Sequence, residues 1–120
     1  MSSTKDFLDY VLDQIKNQDF VKSRKMFGEY AIYYDNKVVG LICDNQLFIK
    51  NTKSGKDFVE KEFGKENINL ASPFPKAKDW ILLEDEIENR EFLNELIEIT
   101  REDLEINIKK KNKVSIKVRD

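Results

Sequence analysis

Histidine is absent from the 120-residue chain, and cysteine, proline and glycine number only one, two and four. The first absence excludes Ser-His-Asp triads, imidazole-ligated zinc and histidine general-base chemistry. A lone Cys43 allows neither an intrachain disulfide nor a multi-cysteine metal cluster. Long apolar runs are missing too, so no segment approaches the ~20 residues of a membrane span. Residues 1–6 lack the basic start and apolar stretch of a secretory signal, neither end carries a lipidation motif, and the expected location is the cytoplasm. Nor is there a large charge excess. Twenty-one basic and 23 acidic residues leave a net charge of −2, so no uniform attraction draws the chain to nucleic acid or an anionic membrane.

What is present suits one folded domain with a very polar surface: 40% hydrophobic, 11% aromatic and 37% charged residues. Ser3 or Thr4 caps a first helix whose stripe is Phe7, Leu8, Val11, Leu12 and Ile15. The period then changes from helical to alternating. Residues 29–34, 38–43 and 46–50 read as strands, joined by the two-residue turns Asp35-Asn36 and Asp44-Asn45. A shorter strand over 24–27 precedes them, and Gly28 marks a tight turn or a bulge. Ser54 or Gly55 opens a second helix ending at Gly64, and both prolines fall in an extended connection over 71–76. Trp80–Leu83 is a final strand. A last helix starts near Asn89 with the buried stripe Phe92, Leu93, Leu96, Ile97, Thr100 and Leu104. Ile99 and Ile106 widen its apolar arc, which suggests a second contact or an end near Asp103 followed by a strand; the longer helix is favoured. The expected fold is α+β, a two-layer arrangement of an antiparallel meander with helices packed against it.

Catalytic and ligand-binding patterns are thin. Ser54-Gly55-Lys56 resembles the end of a phosphate loop, but Lys50 stands where the required upstream glycine would be. The Asp35 and Asp44 turns lack the remaining calcium-loop ligands. Acidic pairs such as Glu91/Glu95 sit at helix spacing on a solvated face, where they make poor general acids at neutral pH. Cys43 reads as a small buried hydrophobe. No catalytic residue, metal or cofactor is expected. Charge is uneven, however. Residues 84–105 carry ten acidic and two basic side chains, and residues 109–119 carry six basic and no acidic ones. That gradient complements a helix dipole, or supplies a basic tail for phosphates.

The segment Arg24-Lys25-Met26-Phe27-Gly28 sets two cations beside two large apolar residues and a flexible backbone point. A sheet edge of this composition suits an anionic or peptide partner; the plainer arrangement places Met26 and Phe27 in the core. Together with Tyr30-Ala31-Ile32-Tyr33, the Asp35 turn, 40–44 and 46–50, it resembles the signature of the TfoX/Sxy amino-terminal domain family. The resemblance spans about residues 4–105, with its specific part at 24–50. It departs from the family pattern at Glu29, Ala31 and Asn36, where glycine is usual or frequent, and lacks a proline after the Trp80 strand.

The resemblance implies a curved antiparallel sheet with helices against it, similar to small bacterial chaperone-like domains. It also implies a non-enzymatic bacterial regulator linked to natural competence, acting with a transcription activator. Residues beyond 105 are too few for the family's second, helical domain, so the expected division is a domain over 1–105 and a basic extension over 106–120. Two functions follow. One is a protein-interaction module using Arg24, Lys25, Met26, Phe27, Gly28, Tyr30 and Ile99 to hold a regulator or a second copy. The other is a nucleic-acid-binding accessory using Arg24, Lys25 and the basic tail.

Overall fold

Three two-residue turns shape the sheet. Phe27-Gly28, Asp35-Asn36 and Asp44-Asn45 all have positive φ at both positions, the backbone of type I′ turns whose twist matches that of paired strands. They link β1 (Val21–Met26), β2 (Glu29–Tyr34), β3 (Lys37–Cys43) and β4 (Gln46–Ile49) into an antiparallel meander. Asparagine and aspartate tolerate this conformation, so Asn36 takes a role that glycine often fills. Glu29 and Ala31 are ordinary strand residues, where no glycine is needed.

The computed structural model describes residues 3–119, with side chains through Lys109. α1 (Lys5–Asp13) begins with Thr4, whose hydroxyl accepts the Phe7 amide, and it ends one turn before the polar residues Asn17, Gln18 and Asp19, where the sequence suggests a stop. α2 (Lys53–Phe63) is capped by Thr52 and terminated by Gly64 at φ 94°. A short 3-10 turn (Lys65–Asn67) leads to β5 (Leu70–Ala71), a two-residue strand too brief to leave a periodic signal. β6 (Trp80–Leu83) inserts between β4 and β5, giving the six-strand order β1-β2-β3-β4-β6-β5. A second 3-10 turn (Asp85–Glu88) precedes α3 (Arg90–Arg119), whose Phe92 amide donates to the Asn89 side chain at 3.2 Å. Residues 104–108 are therefore helical, and the helix continues without a break across 105 and 106.

The two sheet faces differ. Ile32, Ile42, Leu47, Ile49, Ile81 and Leu83 point to one side, where they meet Leu8 and Val11 of α1, Val59 of α2 and Phe92, Leu93, Leu96 and Ile97 of α3. A bulge between Ile32 and Tyr33 leaves Val39 without a partner across the ladder and lets it join this core. Leu93 and Leu96 are 0% exposed, so truncating either to alanine costs roughly 2–5 kcal/mol. Ala31, Leu41, Cys43, Phe48 and Trp80 form a smaller cluster on the other face, away from the helices. Lys50 places its Nζ over the Trp80 ring, 4.8 Å from the centroid, within cation–π range.

Polar contacts lock the helices to the sheet. Asn94 of α3 accepts the Lys16 amide and donates to the Gln14 carbonyl, both at 2.8 Å, closing the end of α1. Tyr34 accepts from Asn17 at 2.8 Å and donates to Glu98 of α3 at 2.9 Å. Burial pushes the Tyr34 phenol up and the Glu98 charge adds to it, which keeps the hydroxyl available as donor. Lys37 pairs with Glu105 at 2.7 Å, so the β2–β3 turn is tied to the same helix.

Candidate functional site

At the first hairpin, Phe27 occupies a turn position with φ 52° and is 102% exposed. A bulky residue there combines backbone strain with exposed apolar surface, and neither favours the folded state. Met26, 42% exposed, precedes it, and Phe74, 53% exposed, comes from the connection between β5 and β6. The plainer expectation, Met26 and Phe27 in the core, is overturned. β1 stops at Met26 because the chain must reverse at Phe27-Gly28, and it begins earlier than expected, at Val21.

These residues frame a groove of about 400 Å³ lined by Met26, Phe27, Glu29, Tyr30, Leu41, Cys43, Pro73 and Phe74. Its floor, Leu41 and Cys43, belongs to the sheet face that the helices leave open. The amino-terminal segment fixes the two hairpins beside it. The Ser3 amide donates to the Gly28 carbonyl at 3.1 Å, and its hydroxyl donates to Glu29 at 2.5 Å. The second Glu29 oxygen accepts the Asp44 amide at 3.0 Å, and Ser3 Oγ accepts the Asn45 amide at 3.0 Å. One carboxylate thus links the chain start and the β3–β4 turn to the start of β2.

The register divides the sequence candidates. Lys22, Arg24 and Met26 lie opposite Tyr33, Ala31 and Glu29, which places them on the open face. Lys25 lies opposite Tyr30, with the other alternation. Among the described residues, no carboxylate lies within ion-pair distance of Lys22, Arg24 or Lys25. Ile99 is half-buried on α3, in the helical layer, and does not line the groove. Met26, Phe27, Gly28 and Tyr30 are brought together, Arg24 neighbours them, and Ile99 stands apart. Of the basic tail, only Lys109 has a described side chain; residues 110–119 are described as helical backbone alone.

Sequence reasoning did not connect Glu29, Leu41, Pro73 or Phe74 with this site. Exposed Phe74 between two prolines was the one available signal. As for chemistry in the groove, burial pushes the Cys43 thiol up and the nearby Glu29 charge adds to this, so its thiolate is disfavoured. Among the described residues, no group of three or more His, Cys, Asp or Glu is arranged to hold a metal ion. Among the described residues, no helix is long and apolar enough to cross a membrane.

The hairpin and its groove fall within residues 13–102, which match the model of the TfoX N-terminal domain. The chain belongs to the TfoX N-terminal domain family. It is also similar to a Spirochaeta aurantia protein described as an uncharacterized 12.7 kDa protein in the trpE 5′ region. The two are 35% identical over 100 residues, which is 83% of this chain and 82% of that protein. The described residues form an α+β architecture of six antiparallel strands and three α-helices.

Proposed function

We propose that this TfoX N-terminal domain is a protein-interaction module with a regulatory role, and that it works without catalysing a reaction. The observation that carries this reading is Phe27. A phenylalanine held at φ 52° and fully exposed disfavours folding on both counts, so its place at the groove mouth is best explained by a partner that covers it. Met26 and Phe74 extend the same apolar surface. Aromatic and methionine side chains are the types enriched where protein interfaces are tightest. The partner fits the chemistry of an exposed, partly acidic polypeptide, since Arg24 and Lys22 continue along the open face from Met26 at the groove.

Affinity capture from cells that express the protein tests the reading, using wild type and Phe74→Asp with and without nuclease. The expected result is a protein partner that survives nuclease, tolerates moderate salt and is lost from the variant. Binding to nucleic acid through the cations of β1 and the Tyr33 face is the competing outcome. It would show as material lost on nuclease treatment and released steeply by salt, with Phe74→Asp behaving as wild type.

A further inference from the structure

Strand β1 is an edge of the sheet, at one end of the strand order, and it is longer than β5 at the other end. In a hairpin closed by a two-residue turn, the flanking pair is hydrogen-bonded and every second pair repeats that arrangement. Met26–Glu29, Arg24–Ala31 and Lys22–Tyr33 are then the inward-bonded pairs. Further along the same alternation, the Asp35 amide donates to the Phe20 carbonyl at 2.9 Å. The amides and carbonyls of Val21, Ser23 and Lys25 therefore point away from β2, into the space an additional strand would occupy. Lys22, Arg24 and Met26 meanwhile project onto the open face, the first two with no carboxylate at ion-pair distance among the described residues.

We propose that β1 takes up an extended segment of a partner protein by strand addition. The segment carries an apolar residue opposite Met26 and acidic residues two and four positions along, opposite Arg24 and Lys22. Main-chain pairing through Val21, Ser23 and Lys25 supplies general affinity, and the alternating side chains supply selection. The apolar residue continues onto the surface formed by Met26 and Phe27. Charge decides against a second copy of β1 as the occupant, because antiparallel pairing would set its own cations against Lys22, Arg24 and Lys25. The inference rests on the interaction-module reading and names the form of the partner.

Fluorescent ten-residue peptides with the core Leu-Thr-Glu-Thr-Glu, measured by anisotropy, test it against peptides of the same composition in scrambled order. The expected result is at least tenfold tighter binding of the alternating peptide. Arg24→Glu is expected to weaken it tenfold or more, and a Lys-for-Glu peptide is expected to prefer that variant over wild type. Ser23→Pro removes an outward amide without touching the β1–β2 ladder, so it is expected to keep the fold and lose the peptide. Equal binding of ordered and scrambled peptides, or full affinity in a folded Ser23→Pro, overturns strand addition. The two readings separate on the natural partner. Loss with Phe74→Asp but retention with Ser23→Pro removes only strand addition, whereas retention by both removes the groove as well.

Discussion

Ser3 donates its hydroxyl to Glu29 across 26 positions of sequence, and Glu29 passes the connection on to the Asp44 amide at 3.0 Å. The floor and mouth of the groove thereby share one anchor. Glu29→Ala leaves the Asp44 amide and Ser3 hydroxyl without their charged acceptor. We expect a loss of about 1–2 kcal/mol, read from the denaturation midpoint. The amides of Ser3, Asp44 and Asn45 should also lose protection from hydrogen exchange.

Helix propensity and packing oppose each other at Gly55. Alanine inside a helix is favoured over glycine by about 1 kcal/mol. A Cβ at Gly55, however, would lie 2.9 Å from Oγ1 of the capping Thr52 and 3.3 Å from Oγ1 of buried Thr100 on α3. Thr52 accepts the Gly55 amide at 3.2 Å, so displacing its hydroxyl loosens the cap as well as the helix–helix contact. Gly55→Ala is expected to destabilise by roughly 1–3 kcal/mol, packing outweighing propensity. A variant more stable than wild type in urea would contradict this account of the α2–α3 contact.

Asp103 of α3 caps α2, accepting the Ser54 amide at 2.8 Å. Burial pushes its carboxyl up, but hydrogen bonds from Thr52, Ser54 and the Gly55 amide outweigh that and hold it below the usual carboxylate range. A depressed folded-state pKa stabilises the fold above the unfolded value, near pH 4, and that contribution is lost as pH falls through the lower folded-state value. Asp103→Asn should therefore be about 1 kcal/mol less stable than wild type at pH 7. The gap should close in acid, below both values. Urea titrations from pH 7 down to pH 2 measure it.

Much of the sheet is legible because its turns carry their own chemistry. Asp35, Asn36, Asp44 and Asn45 all adopt positive φ, as their side chains allow, and the strands between them alternate as the two apolar faces require. The first hairpin is harder to read. Lys22-Ser23-Arg24-Lys25 has no apolar alternation because an edge strand buries little, and phenylalanine is a poor indicator of a positive-φ turn. β5 is held by pairing with β6 rather than by its own residues. The Asp103 cap joins residues 49 positions apart, beyond the reach of any local pattern. For the site, composition pointed to Met26, Phe27 and Gly28, but only the fold brings Phe74, Leu41 and Glu29 beside them. Ile99 lies elsewhere because helical periodicity reports a wide apolar arc without reporting which layer it faces.

Replacing Phe27 with asparagine puts the central claim to its most direct test. Asparagine suits φ 52° and removes the exposed ring, so the Phe27→Asn protein should be about 1 kcal/mol more stable, melting a few degrees higher. In the same preparation, capture of the nuclease-resistant partner should fall at least tenfold. A gain in stability with loss of partner would identify Phe27 as a residue kept for binding at the expense of folding. Full partner retention, or a variant less stable than wild type, would contradict the assignment of this hairpin tip as the docking site.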